Sequence, residues 1–254
     1  MRLAAPTQHS DVPRFCVAPD AQELGFFEQW TERAAGRYAQ SQKILGETVR
    51  NLFRAICIAT ATQGAVQSAV AQETITLTIR DVLERPALYF PAPSNQATVL
   101  VHQSGWSADS WAPLAKRLQH QNISSVSLMF ASSEDVLAAV QYLHDAGSEE
   151  ITLIGASIGG GASMQALRRN SEDVIDNIIL LGTSEGDTSE ATATPKLFVV
   201  SEHDFFAGRT HASYAKASEP KRLIVYPGSA HGQEMLDSPY AEQLIAEILA
   251  VIRH

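Results

Sequence analysis

The sequence predicts an α/β fold in which a mostly parallel sheet of eight strands has helices on both faces. From about residue 73 onward, strand-like runs alternate with segments of helical periodicity, as expected of strands joined by crossover helices. Several of these runs, such as ATVLVH (97–102), are continuously apolar. Parallel strands that are covered on both faces have this pattern, whereas half-exposed strands alternate.

Each element follows from a local pattern. The predicted strands are residues 73–79, 86–90, 97–102, 124–130, 151–155, 175–182, 196–201 and 221–227, and the predicted helices are 109–120, 134–145, 158–170, 206–217 and 238–252. In the last helix, apolar residues recur at helical spacing from Ala241 to Ile252 and form one apolar face that we expect to pack on the sheet.

The composition is that of a globular protein, and it makes a nucleic-acid partner improbable. The chain has 254 residues, 45% of them hydrophobic and 19% charged, which is enough for one domain with an extension. Its formal net charge is −9, whereas proteins that bind phosphate backbones normally have a basic face. No cofactor motif or metal-ligand spacing is found, so none is predicted.

Residues 1–71 do not follow the α/β rhythm, and we expect them to be an extension preceding a catalytic domain of residues 72–254. Residues 49–71 read VRNLFRAICIATATQGAVQSAVA, with arginines first, an apolar middle and a small-x-small end, as in a secretory signal peptide. Either an unusually long leader or a true start codon near Val49 would explain its internal position, and such a signal would favour an exported or periplasmic protein over a cytoplasmic one. The alternative is a surface amphipathic helix with a flexible linker. The two cysteines, Cys16 and Cys57, leave the compartment open.

The motif with the clearest chemical meaning is Gly155-Ala156-Ser157-Ile158-Gly159, which follows an apolar strand and begins a helix. This G-x-S-x-G pattern is typical of a nucleophile elbow, a strand-to-helix turn so tight that the residues around the serine must be small. A simple turn or a phosphate loop is the alternative, but neither G-x-G-x-x-G nor G-K-[ST] is present. We therefore predict that Ser157 is a nucleophile.

A nucleophilic serine needs a base that is oriented by a carboxylate, and both follow in the chain. Asp204 comes just after the strand KLFVVS, and His231 lies in the loop after the last strand. This is the order serine, acid, histidine expected of such a fold. Glu202 is the rival acid, and His203 and His211 are the rival bases, but the two histidines precede the last strand.

The tetrahedral intermediate of acyl transfer also needs hydrogen-bond donors for its oxyanion. We expect one to be the backbone N–H of Ile158, directly after the nucleophile, at a helix N-terminus. The loop after the strand 97–102 should supply the other, and we predict that it comes from Ser104. A simple turn before the next helix is the alternative for that loop.

From residue 73 to residue 254 the chain resembles α/β-hydrolases of the compact, dienelactone-hydrolase-like or small-carboxylesterase type. The resemblance rests on HQSGWSADSWAPLAKRL, GASIGGG, SEHD and PGSAHG in that order. It implies a serine hydrolase that cleaves carboxylic ester or related acyl bonds of a small-molecule substrate. The family usually has His-Gly where this chain has His102-Gln103. An acyltransferase or peptidase using the same residues, or a non-catalytic ligand-binding protein of this fold, is the alternative.

The connection between the sixth and seventh strands bears on substrate size. Residues 183–195 read TSEGDTSEATATP, without an aromatic or long aliphatic side chain. A stretch this short and polar cannot form a hydrophobic cap. The sequence therefore predicts no large cap, an open site and a preference for soluble esters with short acyl chains.

Overall fold

An antiparallel hairpin begins the part of the chain that the computed structural model describes, which comprises residues 72–170 and 174–253. Strands β1 (Glu73–Ile79) and β2 (Leu83–Phe90) form this hairpin. Its turn has Arg80 at φ +50° and Asp81 at φ +62°. Two consecutive left-handed residues match the twist of a hairpin. The predicted leader or linker at 1–71 lies outside the described residues.

Strand β2 is three residues longer than predicted, because Pro86 lies inside it rather than at its start. Pro86 pairs with Thr76 of β1, whereas pairing with β4 begins only at Ala87. Proline has no N–H and is tolerated in a strand where one side lacks a partner.

Strands and helices alternate through the rest of the described chain. They are β3 (Gln96–Val101), α1 (Ala112–His120), β4 (Ser124–Leu128), α2 (Ser133–Asp145), β5 (Glu150–Ala156), α3 (Ile158–Arg168), β6 (Asn177–Leu181), β7 (Lys196–Ser201), α4 (Ala207–Lys216), β8 (Lys221–Tyr226) and α5 (Ala241–Ile252). Short 3₁₀ helices at Ala108–Trp111 and Gly232–Asp237 precede α1 and α5. The second one ends at Asp237, and α5 begins at Ala241, three residues later than predicted.

The eight strands form one sheet in the order β1-β2-β4-β3-β5-β6-β7-β8. The pairs β1–β2 and β2–β4 are antiparallel, and all pairs from β4 to β8 are parallel. The predicted eight-stranded, mostly parallel sheet is confirmed.

Helices cover both faces of this sheet, as predicted. Because side chains alternate along a strand, Leu100 and Ile154 pack in a core with α1 and α5, while their neighbours Val99 and Leu153 pack in a second core with α2 and α3. All four side chains are fully buried. Burying one such side chain stabilises the fold by roughly 1.5–3 kcal/mol.

The connection from β6 to β7 contains no helix or strand. It packs against α4 and the loop after it, since the N–H of Gly186 donates to Ser213 Oγ at 3.0 Å and Ser218 Oγ donates to the carbonyl of Thr188 at 3.0 Å. The prediction that no large cap is inserted here is therefore confirmed. In residues 72–170 and 174–253, no helix is both long enough and apolar enough to cross a membrane.

Candidate active site

Ser157 lies between β5 and α3 in a backbone conformation that non-glycine residues rarely adopt, with φ +49° and ψ −114°. Backbone hydrogen bonds hold it there. Its N–H donates to the carbonyl of Leu181 at 3.0 Å, and its carbonyl accepts from the N–H groups of Ser184 at 2.9 Å and Gly160 at 3.1 Å. Such strained residues cost about 1–3 kcal/mol and cluster at functional sites.

The small residues of the motif are required by close backbone approaches. A methyl group on Gly155 would lie 2.6 Å from the carbonyl oxygen of Gly159, and one on Gly159 would overlap the carbonyl of Val101 at the end of β3. Contacts this short do not occur for real Cβ atoms, so the turn would have to open. The local sequence therefore explains why the serine can lie on so sharp a turn.

Asp204 and His231, from the loops after β7 and β8, are in direct contact. His231 Nδ1 lies 2.7 Å from Asp204 Oδ2, and Asp204 Oδ1 accepts from the N–H of Phe206 at 2.8 Å. The Asp204 side chain is 1% exposed, whereas that of His231 is 20% exposed. A proton on Nδ1 would donate to this buried carboxylate and leave Nε2 as the hydrogen-bond acceptor.

The rival residues lie elsewhere on the surface. Glu202 and His203 are exposed, and their backbone N–H groups donate to the carbonyls of Tyr226 and Gly228, each at 2.8 Å. His211 is exposed on α4. Within the described residues, the carboxylate that hydrogen bonds to the His231 imidazole is that of Asp204, whereas Glu234 accepts from the His231 backbone N–H at 3.1 Å.

Gly182 connects Ser157 to the Asp204–His231 pair. It follows Leu181, whose carbonyl accepts the hydrogen bond from the N–H of Ser157. A Cβ atom at Gly182 would lie 3.1 Å from His231 Nδ1 and 3.2 Å from Asp204 Oδ2. The three predicted residues are therefore grouped around the end of β6, although 74 positions separate the first from the last in the chain.

The two predicted oxyanion donors lie at the same edge of the sheet. Ile158 is the first residue of α3, where an N–H has no intrahelical acceptor, and its side chain is exposed. Ser104 is also exposed, and no backbone acceptor for its N–H is found in the described part of the chain. Among the described residues, neither N–H therefore has a hydrogen-bond acceptor.

Sequence reasoning missed two features of this site. The ring of Phe206 contacts the imidazole of His231, with centroids 5.2 Å apart. Gln103 and Gln233, both buried, hydrogen bond to each other across 130 positions. The sequence carries one signal for this glutamine pair: position 103 is Gln, whereas the proteins that the chain resembles usually have Gly there.

An ion-pair network occupies the N-terminus of α2. Glu134 accepts from Arg169 at 2.7 Å and Arg80 at 3.0 Å, and from Ser133 at 3.0 Å. The hydrogen bond from Arg169, with smaller contributions from backbone and Ser133 donors, lowers the pKa of Glu134 to about 2. Within the described residues, no group of three or more potential metal ligands is found.

No family model matches the sequence, and no curated protein matches it. Solved structures do match. An esterase from Pyrococcus furiosus has a TM-score of 0.61 at 12% identity, over 78% of this chain and 96% of its own. A dienelactone hydrolase from Anabaena variabilis ATCC 29413 has a TM-score of 0.58 at 15% identity, over 72% of this chain and 96% of its own. A bromoperoxidase from Bacillus anthracis has a TM-score of 0.55 at 12% identity, over 72% of this chain and 100% of its own.

The chain has the α/β-hydrolase fold. In α/β-hydrolases the nucleophile lies at a strand-to-helix elbow, and the acid and the histidine follow in that chain order. Here the corresponding positions after β5, β7 and β8 are those of Ser157, Asp204 and His231. At identities of 10–15% the likeness establishes the fold and leaves the reaction to be argued from these residues.

Proposed function

We propose that this protein is a serine hydrolase that cleaves carboxylic ester or related acyl bonds of small soluble substrates. Ser157 is the nucleophile, His231 the general base and Asp204 the residue that orients the imidazole. The proposal is supported by two observations at the end of β6: the strained Ser157 is hydrogen bonded to Leu181, and the Asp204–His231 pair lies against the next residue, Gly182. Because neither a family model nor a curated protein matches the sequence, these three roles are argued from the residues themselves.

The first half of the proposed reaction is acylation. The Ser157 hydroxyl attacks the carbonyl carbon, and His231 Nε2 accepts its proton. The buried Asp204 carboxylate, 1% exposed, stabilises the imidazolium at 2.7 Å. The oxyanion then accepts hydrogen bonds from the N–H groups of Ile158 and Ser104. The imidazolium returns the proton to the leaving alcohol.

The second half is hydrolysis of the acyl-enzyme. His231 accepts a proton from a water molecule whose oxygen attacks the acyl carbon; the bond to Ser157 Oγ then breaks, the acid leaves, and the imidazolium returns the proton to Oγ. Because the imidazole is 20% exposed and Ile158 beside the nucleophile is 44% exposed, water can reach this position. The exposure favours hydrolysis over acyl transfer, since a transferase has to exclude water from the acyl-enzyme.

The surroundings of the nucleophile favour short acyl groups. The polar connection between β6 and β7 packs beside α4, so it cannot form an acyl channel. Trp106, Ile158 and Phe206 are partly exposed at this edge of the sheet and can contact a substrate without enclosing it. A methylene gains up to about 0.8 kcal/mol only where it is buried. We expect kcat/KM to be highest for soluble esters with short acyl chains.

A fluorophosphonate probe tests the proposal directly. The wild-type protein should be labelled at Ser157 and should hydrolyse p-nitrophenyl acetate, while Ser157→Ala and His231→Ala should lose activity by several orders of magnitude and stay folded, since such residues act as a unit. If folded Ser157→Ala kept a tenth of the wild-type kcat, the nucleophile would be wrong. A wild-type protein inert to the probe would favour a non-catalytic member of the fold.

A further inference from the structure

Two buried glutamines form a reciprocal brace next to the candidate active site. The backbone N–H of Gln103 donates to the side-chain Oε1 of Gln233 at 3.0 Å, and the backbone N–H of Gln233 donates to the side-chain Oε1 of Gln103 at 2.7 Å. The two residues are 5% and 1% exposed. Each side-chain oxygen is therefore the hydrogen-bond acceptor for the backbone N–H of the other residue.

The brace joins two loops that both belong to the site. Gln103 directly precedes Ser104, and Gln233 is two residues after His231. Gly232, between His231 and Gln233, has φ +56°, and a methyl group on it would overlap Oε1 of Gln103. The close fit depends on a glycine at position 232 and on a long side chain at position 103.

The peptide unit after Gln103 determines where the N–H of Ser104 points. The carbonyl of Gln103 is held by His102 Nδ1 at 2.8 Å and by the N–H of Trp106 at 3.2 Å. Because a trans peptide is planar, its C=O and the following N–H point in opposite directions. Fixing the carbonyl of Gln103 thus directs the N–H of Ser104 away from the loop.

We propose that Gln103 and Gln233 are positioning residues: their two hydrogen bonds hold the oxyanion donor at Ser104 in a fixed place relative to His231. This inference rests on the proposed function. The brace fixes the start of the donor loop against the histidine loop, and the bound carbonyl fixes the direction of the N–H. A third hydrogen bond, from Gln233 Nε2 to Ser110 Oγ at 2.8 Å, holds the far end of the same loop.

The test replaces each glutamine with methionine, which has a similar length but no polar atoms. Gln103→Met, Gln233→Met and the double variant are compared with the matched control Gln96→Met. Gln96, at the opposite end of β3, donates from Nε2 to Glu150 at 2.9 Å and to the carbonyl of Ile252 at 3.1 Å. The measurements are kcat, KM, the pH profile of kcat/KM, and Tm.

A lost oxyanion donor costs about 10²–10³ in kcat, and here the donor is misaligned rather than removed. We therefore expect kcat to fall by about 10–100-fold in both single variants with KM changed by less than about threefold. The double variant should lose no more than the worse single variant, because the two residues act as one unit. The acidic limb of the pH profile should not move, since the His231–Asp204 contact is untouched. Gln96→Met should lower Tm and keep kcat.

The outcomes separate this inference from the proposed function. A folded Gln103→Met with kcat within twofold of wild type would overturn the brace, and so would a shifted acidic limb, which would show that the pair acts on His231. An equal loss of kcat in Gln96→Met would show that the effect comes from a general loss of stability, and would also overturn the brace. Each of these results, obtained with an active wild-type enzyme, leaves the proposed function intact. A wild-type protein inert to both fluorophosphonate and esters would overturn the two together.

Discussion

Gly182→Ala should impair catalysis although it replaces no residue of the predicted triad. Gly182 follows β6 at φ +52°, and a Cβ atom there would lie 2.8 Å from the N of Gly232, 3.1 Å from His231 Nδ1 and 3.2 Å from Asp204 Oδ2. The added methyl group thus presses directly on the Asp204–His231 contact. The residue before it, Leu181 at the end of β6, accepts the hydrogen bond from the N–H of Ser157.

The size of the effect follows from these distances. Ordinary Cβ contacts begin at 3.4 Å and none are shorter than 3.0 Å, so the histidine loop must move by about 0.2–0.6 Å from its present 2.8 Å. A misplacement of about 1 Å costs roughly 10² in rate. The proportionate loss in kcat is about 3–15-fold. The left-handed backbone adds about 1–2 kcal/mol of destabilisation for a residue with a Cβ atom.

Gly147→Ala is the matched control, because Gly147 has φ +93° and no atom within 4 Å of its added Cβ. It should lose stability through backbone strain alone and keep its kcat. Steady-state hydrolysis of p-nitrophenyl acetate measures kcat, and thermal unfolding measures the stability of each variant. A folded Gly182→Ala protein with kcat within twofold of wild type would refute the reasoning, since the His231 loop would then tolerate displacement.

Four further predictions concern the acid, the extension, the aromatic neighbour and pH. In steady-state assays Asp204→Asn should lose about 10²–10⁴-fold in kcat, because the imidazole loses its orienting carboxylate, whereas Glu202→Gln should stay near wild type. A larger loss in Glu202→Gln than in Asp204→Asn would assign the role of the acid to Glu202. A chain beginning at Gln72 should fold and keep the kcat/KM of the full chain, and a loss of activity at unchanged Tm would assign a site residue to positions 1–71. Phe206→Ala should lower kcat/KM for phenyl esters by about 2–10-fold more than for methyl esters, because the ring beside the imidazole can stack on an aromatic leaving group; equal losses would contradict this contact. Glu134→Gln should lower the free energy of unfolding at pH 7, because the pKa of Glu134 in the folded protein, about 2, lies below the ordinary 4.5. In denaturant titrations the difference from wild type should shrink as the pH falls below 4.5 and be reduced by about half at pH 3. A difference that is constant with pH would rule out the ion pair as its cause.

The sheet and its helices could be predicted from the sequence because their signals are local. The apolar run at 97–102 and the helical spacing in 238–252 depend on residues a few positions apart, and the structure has β3 and α5 there. Element ends were less predictable. Strand β2 extends through Pro86 because its neighbour β4 begins to pair only at Ala87, which no local pattern reveals.

For the candidate site, the sequence by itself determined the residue types and their order: a serine in G-x-S-x-G, an acid after β7 and a histidine after β8. It left Glu202 and Asp204 as alternatives, because both follow the same strand and lie two positions apart. Only the tertiary structure decided which carboxylate meets His231, since that contact depends on how the loops after β7 and β8 fold against each other. The Gln103–Gln233 brace was decided in the same way, because its hydrogen bonds join residues 130 positions apart and exist only once the parallel strands have brought their carboxyl ends to one edge of the sheet.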